Sequence, residues 1–261
     1  YHGWTYSLAG ELKGTPDFSG VCHFEKSGNG LVPISVAEWE KFVFVRLESS
    51  GPSLEQSLGE LVAQFQPLHL ERYHFLERRE WTFECNWKVF VDNFLDGGYH
   101  VPHLHKGLNS VLDYSQYTIE NGRNWCLQQS PMTQDGAVAE VGAVRQGEKA
   151  LYYWLYPNFM INWYEGVMDT NLVLPLSVNR SRVVFDFYFT DVSSPEAVDR
   201  NRASIDVGNQ VQDEDLAICD SVQRGLTSRA YRAGRLSVRR EGGEHLFHRL
   251  LAGDLKDGFW G

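Results

Sequence analysis

The chain has 261 residues, of which 43% are hydrophobic and 22% are charged, so it is long enough for one large globular domain or two smaller ones. Its formal net charge of −10 at pH 7 is scattered along the sequence, which argues against nucleic acid or an anionic membrane as the main partner. No apolar run approaches the roughly 18 residues of a membrane span, and four widely spaced cysteines exclude a disulfide framework and indicate a reducing compartment.

The N-terminal part has the pattern of a small β domain. Alternating and β-branched apolar residues predict short strands at residues 4–8, 31–36 and 42–47. Gly51 and Pro52 mark a break, and a short helix is predicted after it, within residues 54–70. The sequence therefore predicts a β domain at residues 1–50, a linker at 51–76 and a larger domain at 77–261.

The segment at residues 86–105 contains the highest concentration of potential metal-binding side chains and reads NWKVFVDNFLDGGYHVPHLH. Its first part has apolar residues at helical spacing, and the paired glycines Gly97 and Gly98 predict the end of that helix. Two acids and three imidazoles are concentrated here, namely Asp92, Asp96, His100, His103 and His105. Two imidazoles and one carboxylate form the facial set of oxygen-activating non-haem iron, so the segment predicts a metal site. Spacing alone does not decide which two imidazoles are ligands.

Downstream of this segment, residues 152–164 are the most aromatic part of the chain and read YYWLYPNFMINWY. A pair of packed strands explains most of this composition. Some of the rings also suit a cage for a quaternary ammonium ion, since each close contact between a cation and a ring contributes about 0.5–2 kcal/mol. Further strands are predicted at residues 170–176 and 182–190, where apolar residues alternate.

A long helix is predicted from a capping-box spacing at residues 193–196 to about Arg224, with Gly225 as its stop. Val207, Val211, Ile218 and Val222 are predicted to form its buried stripe, and Asp215 lies within that stripe. A buried carboxylate is costly unless it is paired or bound to a metal. Pairing with Arg224 is one solution; because two imidazoles need a carboxylate partner, Asp215 is predicted as the third metal ligand. Helical phase turns the competing acids Asp213 and Glu214 away, and Cys219 is predicted to pack on the same side as Asp215.

Three of these motifs together resemble the α subunits of Rieske-type non-haem iron oxygenases, and they lie nearest to the choline monooxygenase branch. Residues 1–6, YHGWTY, resemble the second half of a Rieske motif; residues 86–105 resemble the iron motif; and residues 211–225, VQDEDLAICDSVQRG, resemble the segment with the third ligand. The resemblance implies that His100, His105 and Asp215 bind iron and that His103 is a variable position. It implies that His2 is a ligand of a 2Fe–2S cluster, whose other ligands would precede residue 1.

The resemblance also implies a role for an acid shortly before the first iron-binding histidine, which bridges the iron to the cluster of a neighbouring subunit. Asp96 is the candidate. Most family members have two residues between this acid and the histidine, whereas three separate Asp96 from His100, so Asp92 stays an alternative. His245 and His248 are one turn apart near the C-terminus, but the family does not assign such a pair to iron.

The implied fold is α+β: the C-terminal part of a Rieske β domain, followed by a helix-grip catalytic domain with an antiparallel sheet around a long helix. The implied cofactors are mononuclear Fe(II) and a Rieske 2Fe–2S cluster. The implied partners are O₂, a ferredoxin-type electron donor and two further copies of the chain in a homotrimer. The protein is expected in the chloroplast stroma if its source is a plant or alga, and otherwise in the cytoplasm.

The implied reaction is hydroxylation of a quaternary amine, with choline converted to betaine aldehyde hydrate. Carnitine, another methylated amine or an aromatic acid is the alternative substrate. Tyr and Trp side chains around the iron pocket, with few basic residues, would favour choline. Outside the oxygenases, the alternative is a non-catalytic or zinc-binding relative.

Overall fold

The computed structural model describes residues 2–48, 50–133 and 145–259. The chain forms two compact units, Tyr1–Gly59 and Glu60–Gly261. The division falls inside the segment that was predicted to link two domains. No helix among the described residues is both long and apolar enough to cross a membrane.

The first unit is built of two hairpins and a short helix. Its elements are β1 (Thr5–Tyr6), β2 (Leu12–Gly14), β3 (Ser35–Trp39), β4 (Phe42–Arg46) and α1 (Leu54–Leu58). The predicted strand at residues 31–36 is wrong in its first part, because Pro33 has no N–H for a ladder and regular pairing begins only at Ser35. Trp4, Phe18 and Phe24 pack ring against ring, with centroids 4.6–5.5 Å apart.

The helix predicted within residues 54–70 is interrupted. Ser53 caps α1 through a complete capping box with Gln56, and Gly59, at a φ of 55°, ends it. A second short helix follows as α2 (Leu61–Phe65), and Pro67 lies in the 3₁₀ turn after it. Two short helices therefore replace the one predicted helix, because Gly59, with its positive φ, cannot continue a right-handed helix.

The second unit is one antiparallel sheet with helices packed on it. Its strands are β5 (His74–Phe83), β6 (Thr118–Asn121), β7 (Trp125–Pro131), β8 (Gln146–Leu155), β9 (Phe159–Glu165), β10 (Val167–Ser177) and β11 (Arg180–Phe189). Their order in the sheet is β5-β11-β10-β9-β8-β7-β6. Its helices are α2, α3 (Trp87–Leu95), α4 (Lys106–Asn109), α5 (Pro195–Leu226) and α6 (Gly242–Phe259). The predicted α+β fold with an antiparallel sheet and a long helix is confirmed.

The alternation predicted for β11 explains how the sheet presents one apolar face to the core. Val183, Phe185, Phe187 and Phe189 are buried, whereas Val184, Asp186 and Tyr188, which alternate with them, are only partly buried. Side chains in a strand point to opposite faces in turn, so this period buries four large apolar residues together. Helix α3 contacts β10 and β11 and also packs against α5 and α6, so it lies where the sheet and the long helix meet.

The long helix begins and ends close to the predicted positions, but its buried face differs. Ser194 is the N-cap, since its side chain accepts a hydrogen bond from the N–H of Ala197, and the spacing of Ser193 and Glu196 does not form the cap. The predicted stripe is wrong in its second half, because Ile218 and Val222 are exposed, whereas Val207 is partly buried and packs against the core. Most residues of the buried face of α5 are small or polar, and the face consists of Ala197, Asn201, Ser204, Ile205, Gly208, Gln212, Asp215 and Cys219. Asp215 and Cys219 are buried as predicted.

Candidate metal centre

Helix α3 delivers the first two candidate ligands through a sharp turn. Asn86 caps its start by accepting from the N–H of Lys88, and Gly97 and Gly98 follow its end at φ values of 71° and 73°. A side chain at Gly97 would clash with the carbonyl oxygen of Arg240, 2.2 Å from the position of its Cβ. The turn therefore requires glycine, and the predicted helix end is confirmed.

Three side chains converge beyond this turn. His100, His105 and Asp215 each offer one ligand atom, and these atoms lie within 4.8 Å of one another. Nε2 of His105 is 3.2 Å from Oδ1 of Asp215, and the two imidazole rings are 4.8 Å apart at 84°. His105 and Asp215 are buried, and His100 is partly buried. The structure thus brings together all three residues that the sequence predicted as iron ligands.

Each of the two imidazoles is hydrogen-bonded through its Nδ1 atom to a carboxylate. Nδ1 of His100 is 2.7 Å from Oδ2 of Asp96, and Nδ1 of His105 is 2.6 Å from Oε2 of Glu214. When a carboxylate holds the proton on Nδ1, the lone pair of Nε2 is free for a metal, as is usual for metal-binding histidines. The donor set, two nitrogens and one carboxylate with fixed tautomers, fits a divalent transition metal.

The charges at His105 also favour a cation. Burial opposes the charged imidazole, but the hydrogen bonds and negative charges of Asp215 and Glu214 outweigh it, so the pKa of His105 is raised. Two carboxylates around one buried imidazole leave negative charge uncompensated whenever the ring is neutral. A divalent ion on Nε2 and Asp215 would balance that charge.

Asp215 is held by amides and an imidazole. Asn93 donates to Oδ1 at 2.9 Å and Gln212 donates to Oδ2 at 3.2 Å. Arg224, the alternative partner predicted for a buried Asp215, is exposed at the far end of the helix and is not among the described contacts of Asp215. Two amides and one histidine orient this carboxylate without neutralising it, which leaves its charge available to a metal.

The structure also locates the competing residues. His103 is exposed and Asp213 is exposed, so neither faces the centre. Glu214 is different: helical phase predicted that it turns away, but its side chain reaches His105 and is only 27% exposed. The sequence did carry one indication of this contact. Glu214 directly precedes the predicted ligand Asp215, and its side chain is long enough to contact a histidine bound near that ligand.

We expect Glu214→Gln to weaken metal binding on the order of 10- to 100-fold, since the carboxylate that fixes His105 is lost. Titration of metal-free protein with Co²⁺, followed by its d–d absorption, measures this affinity. Asp213→Asn, at the exposed neighbouring position, is the matched control and should bind as the wild type does. Equal affinity of both variants would contradict the positioning role of Glu214.

Asp92, the alternative bridging acid, is engaged elsewhere. Its Oδ1 is 2.9 Å from Nε2 of His248 on α6 and not against His100. Together with Glu244 these residues form a second group of potential ligands, partly exposed between α3 and α6. Hydrogen bonding to Asp92 raises the pKa of His248. The geometry therefore favours Asp96 over Asp92 as the acid that acts on His100.

Glu244 gives this group a pH dependence. Burial, and then the charge of Asp92, raise its pKa to about 7 from a usual value of 4.5. Between those pH values the folded state holds a proton that the unfolded state has lost, so stability falls as the pH rises through this window. Because Glu244 is partly exposed, we expect Glu244→Gln to recover only on the order of 1 kcal/mol above pH 7 and little below pH 4.5. Chemical denaturation at pH 4.5 and 8 measures the difference, with Glu148→Gln as the exposed control.

A cavity of about 100 Å³ opens beside the candidate ligands. Six aromatic rings line it, those of Phe90, Phe94, Tyr117, Tyr152, Tyr164 and Phe185. The hydroxyls of Tyr152 and Tyr164 are hydrogen-bonded to each other at 2.8 Å. Trp154 instead lies fully buried against Phe247, outside this lining. The aromatic segment thus contributes tyrosines to the cavity, and its central tryptophan to the core.

Polar residues line the rest of the cavity. Among the lining residues, Arg145 is the one with a permanent positive charge, and Asp169 is a buried acid. Asp169 accepts hydrogen bonds from Asn162 and Asn171, at 2.7 and 3.2 Å. Burial raises its pKa, and the positive charge of Arg145 opposes that rise. The cavity therefore combines an aromatic wall, one cation and one acid.

The remaining predicted site residue, His2, lies in the first unit. It is exposed, has a φ of 54°, and is followed by Gly3 at 70° in the turn before β1. With Trp4 and Phe18, it lines an open concavity of that unit. Its predicted role as a ligand of the cluster stays a prediction.

Comparison with known families decides the class of this site. Residues 70–256 match the model of the ring-hydroxylating α subunit, catalytic domain. The chain belongs to this family. All three candidate ligands and the carboxylates behind them fall inside the matched residues, so the predicted membership of the Rieske oxygenase α subunits is confirmed.

Relatives of this ring-hydroxylating α-subunit chain include enzymes for quaternary amines. It is 42% identical to the chloroplastic choline monooxygenase of Arabidopsis thaliana, over 98% of this chain and 62% of that protein. It is 30% identical to the carnitine monooxygenase oxygenase subunit of Escherichia coli K12, over 98% of this chain and 71% of that subunit. The chain thus spans about three fifths of the choline monooxygenases that it matches.

A solved structure of a quaternary ammonium Rieske monooxygenase, studied for carnitine oxidation, superposes with a TM-score of 0.82 at 25% identity. The match covers 97% of this chain and 70% of that one. A naphthalene 1,2-dioxygenase from Rhodococcus shares the fold, with a TM-score of 0.72 at 20% identity. The fold predicted from the sequence is therefore that of Rieske oxygenase catalytic domains.

Proposed function

We propose that this protein is an iron-dependent Rieske monooxygenase that hydroxylates a quaternary amine, with choline converted to betaine aldehyde hydrate. The observation that carries the proposal is the group of His100, His105 and Asp215 at the edge of a cavity with an aromatic wall. Two imidazoles and one carboxylate leave coordination positions open, and aromatic rings bind quaternary cations without hydrogen bonds. Relatives that are named choline and carnitine monooxygenases support the substrate class.

His100, His105 and Asp215 would hold the iron, and Fe(II) in such a set supplies the activation of O₂ for hydroxylation. The surrounding residues prepare these ligands. Asp96 and Glu214 hold the Nδ1 protons of the two imidazoles, so each ring keeps one tautomer and one orientation. Amides fix the carboxylate of Asp215, and the apolar rings restrict water around the bound amine.

For the whole protein we infer a Rieske 2Fe–2S cluster, with His2 as one ligand and the first unit as part of its domain. A ferredoxin-type protein would donate electrons, and Asp96 would connect His100 to the cluster of a neighbouring subunit in a homotrimer. Its partly exposed carboxylate supports this role, because one oxygen contacts His100 while the side chain stays 21% accessible. The name of the plant relatives supports a location in the chloroplast stroma if this chain has a plant or algal source.

Oxygen uptake by the full-length protein with a reduced ferredoxin-type donor tests this function. Choline should stimulate uptake, and betaine aldehyde should accumulate in step with it. Carnitine, other methylated amines and aromatic acids complete the panel of substrates, since carnitine monooxygenases are also relatives. Purified protein with stoichiometric zinc, and no amine-dependent uptake with any of these compounds, would instead support a non-catalytic relative.

A further inference from the structure

Three amide side chains that line the cavity have carbonyl oxygens without a hydrogen-bond partner. They belong to Gln128, Asn162 and Gln212, and each of these oxygens is buried and unpaired among the described residues. Gln212 is only 6% exposed and Gln128 only 2%. Native proteins leave few buried acceptors unpaired, so these oxygens indicate that a ligand or water donates hydrogen bonds to the lining.

The orientation of each amide is fixed by its NH₂ group. Gln212 donates from Nε2 to Oδ2 of Asp215 at 3.2 Å, and Asn162 donates from Nδ2 to Oδ2 of Asp169 at 2.7 Å. Gln128 donates to a backbone carbonyl at 2.6 Å. Carboxylates and backbone carbonyls are acceptors, so flipping any of these amides would place two acceptors against each other. The three side chains therefore keep their oxygens for a donor from elsewhere.

The arginine in the lining does not supply these donors. The guanidinium of Arg145 lies over the ring of Tyr164, with Cζ 4.7 Å from the ring centroid. It also packs against α5 at Gly208, where a Cβ would lie 3.5 Å from Nη2. None of the three amide oxygens accepts a hydrogen bond from it. The donor therefore has to come from a molecule in the cavity.

The proposed substrate has one group that meets this requirement. A quaternary ammonium has no N–H, so the hydroxyl is the one hydrogen-bond donor of choline, whereas its trimethylammonium end needs only aromatic rings. Among the three amides, Gln212 is the one whose described hydrogen bond reaches a candidate iron ligand. A hydroxyl on its oxygen would lie near Asp215, together with the carbon that bears it. That carbon is the one oxidised when choline becomes betaine aldehyde hydrate.

We propose that Gln212 binds the hydroxyl of choline through its side-chain oxygen, selects quaternary amines that carry a hydroxyl, and directs the alcohol carbon toward the metal. One amide then holds both the ligand and the substrate, because its NH₂ group fixes Asp215 and its oxygen fixes the hydroxyl. A methylated amine without a donor leaves this oxygen buried and unpaired, which weakens its binding. The inference rests on the proposed function and names the residue that recognises the second group of its substrate.

Calorimetric binding to metal-loaded protein under anaerobic conditions tests this assignment with two probes. Choline and ethyltrimethylammonium have the same charge and nearly the same size, but the second lacks the hydroxyl. The wild type should bind choline on the order of 10-fold more tightly, and Gln212→Met should reduce that ratio to less than about threefold. Asn209→Leu is the matched control, since its amide oxygen on the same helix is also unpaired but does not line the cavity. Its ratio should equal that of the wild type.

Gln212→Glu separates the two roles of the amide. It keeps an acceptor oxygen but loses the donor to Asp215, so metal affinity should fall in a Co²⁺ titration while the preference for choline persists. The ratio of the two affinities is the informative quantity, because a folding or metal defect weakens both probes alike. Equal binding of both probes by the wild type, or an unchanged ratio in Gln212→Met, would overturn the assignment and leave the proposed function standing. If the wild type binds neither probe, the proposed function fails as well.

Discussion

Asp215→Ala should abolish iron retention in the purified protein. The variant removes the one carboxylate among the three candidate ligands, and two imidazoles from a single turn do not provide the facial set. We expect the affinity for a divalent metal to fall by more than about 100-fold, beyond the effect typical of residues behind the ligands, and amine-dependent oxygen uptake to fall with it. Elemental analysis after anaerobic loading with Fe(II), together with a Co²⁺ titration, measures the loss.

Two neighbouring histidines provide the matched pair for this experiment. His105→Ala should behave as Asp215→Ala does, because His105 is buried and lies 3.2 Å from that carboxylate. His103→Ala should retain iron, because His103 is exposed two residues away. Retention of iron by Asp215→Ala, or its loss from His103→Ala, would show that the ligand set has been assigned incorrectly.

Asp96→Asn should separate electron delivery from metal binding. The amide keeps the size of the side chain, but its single oxygen can replace only one of the two carboxylate oxygens, which accept from the N–H groups of Gly98 and His100 at 2.8 and 3.2 Å. It loses the negative charge that stabilises the proton on Nδ1 of His100. We expect iron to be retained, while the rate at which the reduced cluster is reoxidised in the full-length protein falls on the order of 100-fold.

Asp92→Asn is the control that decides between the two acids. Asp92 contacts His248 on α6, so its loss should affect the packing of that helix and leave cluster reoxidation near the wild-type rate. A slow reoxidation in Asp92→Asn with a normal rate in Asp96→Asn would reverse the assignment. Stopped-flow absorption of the cluster and thermal melting, applied to both variants, keep the two effects apart.

The elements that were predicted correctly each have a local pattern in the sequence. Gly97 and Gly98 fixed the end of α3 because only glycine adopts that turn beside the carbonyl of Arg240. The alternation predicted β11 correctly because the inward-facing residues of this strand, from Val183 to Phe189, are all apolar. Asp215 was identified by chemistry, since two imidazoles needed a carboxylate, although the apolar stripe from which it was also argued faces solvent at Ile218 and Val222.

The wrong prediction for the buried face of α5 has a clear physical cause. The inward face of helix α5 is mostly small or polar because part of it borders a cavity, which Gly208 and Gln212 help to line. Hydrophobic periodicity therefore predicts the wrong phase for such a helix. Arg145 had no local signal at all, because its burial depends on Gly208 and Tyr164, which are far away in the sequence.

The ligand set also links parts of the chain that are distant in sequence. His105 follows α3, whereas Asp215 lies in the middle of α5, more than a hundred positions later, so one ion would fasten the two elements together. A ligand that binds only the folded state adds about 2.7 kcal/mol to its stability at a hundredfold excess over the dissociation constant. Iron supply would then set how long the protein survives as well as how fast it works, and chelation in a cell would expose the chain to proteolysis.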